Sequence, residues 1–560
     1  MMQAALRFID NIPEAFLEAR RPRLWLSLLC LLLWLPGFFN IPAGDRDEAR
    51  FAQASRQMVV SGDYVRIMVG DEERNKKPVG IHWAQAASVH LAEALHLGTR
   101  DDIWPYRVPG LIGAWLAVLA TFHWGRALVG RRAAMLAGTL LASCLVLIVE
   151  THIAKTDAAL LATVAGMMGL FARLYLAPGT FTNGQALAFW AMMGASVLLK
   201  GPIGPMVVLL TGISLAIADR RAPWFRGLRL HWGLPLVLLI CLPWLVAIGI
   251  ATDGRFFSQA VGGDMLGKVG NGDEKHWGPP GYYLLTFGIA AFPGAFLVLR
   301  SLPTAWSNRL QPSTRFLLAW IIPTWLVFEA VATKLPHYTL PTYPALMLLA
   351  GAWAMDPLRR PAPRWLAGIG WFFLFLVPIG LAIGAVVLPH LADNRADWWA
   401  LLAIPFAALP IWGAVRAMRA GHPSRAGILA AILTIPLTGF ALQHTIPSLR
   451  APWLSPRIAT LLSEVAPGVP YDHVGLVGYQ EASMLFATSG DLQFLDNAPA
   501  AADFLAEAPG RVAVVGSRSE AAFQRRVAEL GLKLTVLGET DGFVYTRGRM
   551  LGITIYKRAD

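Results

Sequence analysis

The sequence predicts a polytopic α-helical membrane protein of about 13 spans, with helical outer loops and a C-terminal soluble α/β domain. Three observations carry that prediction. Of 560 residues, 55% are hydrophobic and only 15% are charged, whereas soluble proteins carry roughly 25% charged residues. Apolar runs of about 17–25 residues recur along the chain. Arginine clusters fall at alternate connections between those runs. With a mean hydropathy of +0.49, these features exclude a disordered chain, a collagen-like repeat and a soluble enzyme.

The candidate spans lie at about 24–43, 103–125, 133–149, 157–177, 186–200, 203–219, 234–250, 282–299, 316–333, 340–355, 365–388, 398–416 and 426–443. Several contain proline, which membrane helices tolerate. The first run has no small-residue cleavage site behind it and reads as a retained span rather than a signal peptide. Cys30, Cys144 and Cys241 each sit within an apolar run. Their separation suits neither a metal cluster nor a disulfide framework.

Short-loop Lys and Arg orient the chain. One side holds Arg20, Arg21 and Arg23, then Arg126, Arg131 and Arg132, then Arg220, Arg221, Arg226 and Arg229. The pattern continues with Arg300, Arg309 and Arg315, with Arg359, Arg360 and Arg364, and with Arg416, Arg419 and Arg425. Short turns on the other side hold only Lys155, Lys200, Lys334 and Arg395. The N-terminus is therefore expected in the cytoplasm of a bacterial inner membrane, and the C-terminal segment in the periplasm. The net charge, 48 − 36 = +12, is mostly this topology signal, so nucleic acid is not an expected partner.

Two outer loops are long. Residues 44–102 read as two short helices, near 47–60 and 79–96, the second amphipathic enough to lie in the interface plane. Residues 251–281 are Gly-rich and read as irregular. Residues 1–443 form the expected membrane domain. From 444 the apolar runs shorten to strand length, at 474–479, 511–516, 532–537 and 553–557. Helical patterns near 455–465, 499–507 and 518–530 separate them, and such alternation argues for an α/β domain over 444–560. It contains no nucleotide fingerprint.

Charged residues on the outer side are few. Asp45, Asp47, Glu48 and Arg50 follow the first span, Lys76 and Lys77 precede Pro78, and Asp157 opens the fourth span. Lys200 ends the fifth, Lys334 follows the ninth, and His276 lies in the second long loop. Taken singly, each has an ordinary explanation. A lysine at a helix end snorkels, and an acid in a first turn suits the helix dipole. As a set, acids and cations near lipid are costly and mark a polar site. Cations would bind a phosphate there, and a carboxylate would orient or deprotonate an acceptor.

Several segments, in order, resemble one family. GDRDEARFAQASRQMVVSGDYV resembles the D-E-x-R-[FY] motif of the aminoarabinose transferase (ArnT) family, which is grouped with protein O-mannosyltransferases in the GT-C superfamily. NKKPVGIHW is similar to its E-K-P stretch, HIAKTDAALLATVAGM to its Asp-led helix start, and LLKGPIG to its T-K-G segment. EKHWGPPGYYLL is similar to its H-x-x-P-x-x-Y-Y segment, and ATKLPHYTLPTYPALMLLAG to its K-L-P-x-Y segment. VGYQEASMLFATSG in the tail is also typical. Lys76 departs from the pattern, standing where those enzymes commonly carry Glu.

The resemblance implies an inverting glycosyltransferase. Its donor would be a polyprenyl-phosphate-linked sugar, and its acceptor lipid A or another envelope glycan, glycolipid or protein. Asp47 and Asp157 are the implied catalytic carboxylates. Lys77, Arg50, Lys200, Lys334 and Lys268 are the implied donor-phosphate ligands. Glu48, Lys76, His82, His276 and Tyr338 complete the candidate set. No cofactor or metal is required, and a monomer embedded in the bilayer is expected. The alternative is a transporter or flippase for a lipid-linked glycan. Against it, the charges crowd at helix ends and in loops rather than at mid-membrane.

Overall fold

The computed structural model describes residues 11–266 and 277–559. Lys268 and His276 lie outside the described residues. Among the described residues, six helices are long and apolar enough to cross a membrane: Trp104–Val129, Asp157–Leu176, Phe225–Ala251, Arg364–Asp393, Trp398–Arg419 and Pro423–Ser448. The pair Arg131–Ala142 and Leu145–Thr151, bent by 58°, makes a seventh if counted as one span. The other expected segments are helical too, including Pro22–Trp34, Asn183–Lys200, Ile203–Asp219, Pro312–Ala330 and Tyr343–Met355. Segment 282–299 is split into Tyr282–Ala290 and Ala295–Ser307. Breaks at Gly and Pro shorten these pieces, because proline removes a backbone donor and glycine weakens a helix interior.

One break positions a charge. Asn183–Lys200 stops at Gly201, whose φ of 61° and ψ of −128° suit only glycine. Pro202 then starts the next helix. Lys200 is thereby left at a helix C-terminus, where a cation complements the dipole.

The first outer loop forms helices Asp47–Ser61 and Gly80–Ala94, joined through a small hairpin pairing Met68–Val69 with Glu72–Glu73. Gly80 lies so close to Leu198 that an added Cβ would fall 2.7 Å from its carbonyl oxygen. That contact brings residues 76–80 against the end of the Lys200 helix. In the second loop, Ser258–Leu266 is helical, where an irregular segment was expected.

Residues 454–559 carry a five-stranded mixed sheet. Across it the strands run Gln493–Phe494, Val474–Val477, Val512–Gly516, Arg549–Arg558 and Leu534–Val544. The first three are parallel and the last two pair antiparallel. Val474–Val477 and Val512–Gly516 are buried along their whole length. Such continuous apolar runs belong to central strands covered on both faces. Helices Leu454–Val465, Ala498–Glu507 and Glu520–Glu529 accompany them.

The sheet docks on the loop that carries the Asp47 motif. The Asp45 carboxylate accepts hydrogen bonds from Ser483 and Tyr479, and its backbone N–H donates to the Tyr545 hydroxyl. Arg46 donates to the Thr546 carbonyl at 2.9 Å, and Arg56 to that of Ser489. Burial pushes the Asp45 carboxyl up to about 6, opposed by its hydroxyl donors and aided by Glu481.

An unfolded aspartate titrates near 4. Between about 4 and 6 the folded protein therefore holds this proton more tightly, and stability should fall as pH rises through that window. Asp45→Asn should flatten that dependence. Thermal unfolding midpoints of both proteins, measured across the window, check it; parallel curves would exclude Asp45 as the source.

Candidate active site

The start of helix Asp157–Leu176, the end of Asn183–Lys200 and the 76–78 turn converge on one cavity of about 360 Å³. Lys76, Lys77, Asp157, Lys200 and Tyr338 line it. Leu160, Leu245, Phe256, Phe257 and Phe328 supply apolar walls. Lys200 Nζ lies 2.5 Å from Asp157 Oδ1, and 5.2 Å from the centre of the Tyr338 ring. Asp157 makes no capping bond to its own helix; Thr156 occupies the cap position and makes none either. Its carboxylate is turned to Lys200, so capping does not account for it.

Behind this pair runs a second one. Lys155 Nζ lies 3.0 Å from Glu150 Oε1. His337 spans the two carboxylates, its Nδ1 3.4 Å from Glu150 Oε1 and its Nε2 3.7 Å from Asp157 Oδ1. Burial works against a charge on Lys155, yet Glu150 and Asp157 outweigh it and hold the ammonium above its ordinary range. Burial likewise outweighs the same acids at His337 and holds its pKa below the ordinary value. A neutral imidazole has a single N–H, so His337 can donate to only one of the two carboxylates at a time.

Motif spacing does not flag Glu150 or His337. Glu150 nonetheless carries a visible signal, as the lone acid in the apolar stretch 133–151. His337 shows none, since its partners are distant in sequence.

Several expected site residues are placed elsewhere. Glu48 is buried and accepts from Arg107 Nε at 2.8 Å, from the Gly44 amide at 2.8 Å and from the Ala154 amide at 3.1 Å. It ties the first outer loop to helix Trp104–Val129 and to the turn before Asp157–Leu176, and it does not line the cavity. His82 is buried, stacked on Phe51 and hydrogen-bonded to Ser55 at 2.8 Å. Burial and the Arg74 guanidinium push its imidazole down to about 3, which keeps it neutral, and it does not line the cavity.

Lys334 spends its ammonium on the carbonyls of Gly278, at 2.9 Å, and Val331, at 2.8 Å. Two of its three N–H donors are taken in this way, and it does not line the cavity. Asp47 and Arg50 are exposed at the start of helix Asp47–Ser61 and do not line the cavity. Asp47 does lie close enough to Lys155 to bear on its charge. Among the described residues, no group of three or more His, Cys, Asp or Glu side chains is placed to hold a metal ion.

The chain is similar to known proteins in both sequence and fold. Residues 76–246 match the family of dolichyl-phosphate-mannose-protein mannosyltransferases. The undecaprenyl phosphate-alpha-4-amino-4-deoxy-L-arabinose arabinosyl transferase of Pectobacterium carotovorum subsp. carotovorum (strain PC1) is 27% identical over 359 residues, 62% of each chain. The chain thus spans less than two thirds of that relative's length. The enzyme of the same name from Pseudomonas paraeruginosa (strain DSM 24068 / PA7) is 25% identical over 77% of this chain and 78% of its own.

Among solved structures, ArnT from Cupriavidus metallidurans bound to undecaprenyl phosphate superposes with a TM-score of 0.71. It is 20% identical, over 95% of this chain and 97% of that one. An Archaeoglobus fulgidus oligosaccharyltransferase follows at 0.54, with 12% identity over 92% of this chain and 69% of its own. In fold the chain is similar to ArnT of Cupriavidus metallidurans, and in sequence it is similar to the aminoarabinose transferases and, over residues 76–246, to the mannosyltransferase family.

Proposed function

We propose that the protein transfers a sugar from a polyprenyl-phosphate carrier to lipid A or another envelope acceptor at the periplasmic face of a bacterial inner membrane. The observation that carries this reading is the cavity itself. Three ammonium groups, on Lys76, Lys77 and Lys200, and one carboxylate share a polar end against apolar and aromatic walls. A lipid-linked phosphate has that same two-part chemistry. The names of the relatives, and the carrier phosphate bound in the superposed ArnT structure, support it.

In the proposed reaction an acceptor oxygen attacks the anomeric carbon. The bond from that carbon to the phosphate oxygen breaks, and its electron pair stays on the polyprenyl phosphate. Lys77 and Lys200 offset the charge that gathers there. Asp157 holds Lys200 in place. Asp47 takes the proton when the acceptor is a hydroxyl. Direct displacement inverts the anomeric configuration. Neither a nucleotide nor another cofactor enters the scheme. Lys76, in place of the family's usual Glu, makes this end of the cavity more cationic than an aminated sugar requires, so the sugar is left open to others.

The rest of the proposal is topological. A monomer of thirteen spans keeps its N-terminus in the cytoplasm and holds 444–560 in the periplasm as an α/β domain. A reporter active only in the periplasm should work when fused after Asp560 and fail at Arg221. The reverse pattern refutes the orientation.

Transfer of radiolabelled sugar from a purified lipid-linked donor tests the activity, since a transporter makes no new glycosidic bond. Lys77→Ala should weaken binding of polyprenyl phosphate by roughly 10–150-fold, the equivalent of a lost charge-assisted hydrogen bond of about 1.5–3 kcal/mol. Binding at the wild-type level by the folded variant would remove Lys77 from the site.

A further inference from the structure

At the opposite end of the helices from the Asp157 cavity lies a second amphiphilic site. Helices Trp104–Val129 and Asp157–Leu176 run side by side, and their C-terminal ends meet the start of Asn183–Lys200. An apolar groove of about 710 Å³ opens between them, walled by Leu116, Leu119, Ala120, Leu170 and Met192. A smaller cavity of about 300 Å³ adjoins it, lined by Arg126 and Arg173. His123 and Trp124 belong to both. Groove and cavity therefore adjoin at these two residues.

The basic end is concentrated. Arg23 Nη2 lies 2.8 Å from His123 Nδ1, and Arg126 Nη2 lies 3.3 Å from the same atom. A guanidinium only donates, so Nδ1 is the acceptor and the ring N–H is on Nε2. Arg23, Arg126 and Arg173 all bear electrostatically on this ring. Among the described residues, none of the three arginines is ion-paired with a carboxylate. Three exposed guanidinium groups gathered without a counter-charge attract an anion, and the apolar groove beside them suits a hydrocarbon chain.

We propose that this space binds an anionic phospholipid of the adjoining leaflet, with an acyl chain in the groove and the phosphate on Arg23, Arg126 and Arg173. The site is distinct from the Asp157 cavity in position and in the residues that line it. Its occupant would tie the first helix, through Arg23, to the helices that carry Asp157 and Lys200.

Photo-crosslinking tests it in the full-length protein, reconstituted in phosphatidylcholine bilayers. A small fraction of either a phosphatidylglycerol or a phosphatidylcholine with a photoactivatable acyl chain is included, and labelled peptides are mapped. Wild-type protein should label residues 116–124 and 162–192 more strongly with the glycerol lipid. Replacing the three arginines by Gln should remove that preference, by roughly fivefold for each, the equivalent of about 1 kcal/mol per basic residue. Ala120→Phe keeps every charge and fills the groove, and it should reduce labelling there by both lipids.

Equal labelling by the two lipids in the wild type overturns the proposal, whatever the variants do. A preference that survives the triple substitution overturns the assignment of the phosphate. Undiminished labelling in Ala120→Phe overturns that of the chain.

Discussion

Asp157→Ala is expected to cost both folding stability and transfer, and a second substitution should separate the two. Asp157 is buried, and its carboxylate lies 2.5 Å from Lys200, whose side chain is 13% exposed. Removing one partner of a buried pair leaves an uncompensated charge and costs about 3–5 kcal/mol. The Tyr338 ring face, 5.2 Å from Lys200 Nζ, returns part of this. His337 also loses one of its two carboxylates.

Thermal unfolding of the purified variant should therefore start lower, and transfer should fall by roughly 10–150-fold if Asp157 holds a phosphate-binding lysine. Asp157→Ala with Lys200→Met removes both charges and should regain most of the stability, because the penalty belongs to the pair. It should not regain transfer. Wild-type transfer by the double variant would show that the pair serves the fold alone.

The distinction between fold and site is also where the sequence stops being informative. Helix positions and the four longer strands of the sheet follow from local patterns, and the structure puts helices or strands at or near each. Burial is not local. Glu48, in the same motif as Asp47, reads as a site acid, yet Arg107, fifty-nine residues on, claims it. Lys334 reads as a cation beside the membrane, but the backbone turns it onto two carbonyls. His82 reads as a candidate ligand, and Ser55 and Phe51 enclose it.

The reverse error is Glu150 with His337. Their chemistry appears only when residues nearly two hundred positions apart meet. By contrast, Lys77, Asp157 and Lys200 were legible because a helix end or a proline marks each of them. Those markers constrain the backbone at the turn or helix end from which each of the three lines the cavity.

Asp47→Asn is the substitution with the largest expected effect on transfer and the smallest on the fold. Asp47 is exposed in the first turn of Asp47–Ser61, and it forms no ion pair among the described residues. Losing its charge there weakens the helix-dipole interaction by about 0.3–1 kcal/mol. Asparagine keeps the shape, so expression and unfolding midpoint should change little. If Asp47 is the general base, transfer should fall by about 10²–10⁴-fold. The acceptor sets which end of that range appears. A hydroxyl must lose its proton as the new bond forms, so the full loss should hold across the working pH range. A lipid A phosphate is already ionised, needs no base, and should leave residual activity that varies little with pH. Rates measured with a hydroxyl acceptor and a phosphate acceptor therefore report the acceptor class as well as the role. Undiminished transfer by a folded Asp47→Asn protein with both acceptors would leave Asp157 and Glu150 as the remaining carboxylates near the cavity. Glu150 would then be the one to substitute next, because its Oε2 is buried without a hydrogen-bond partner.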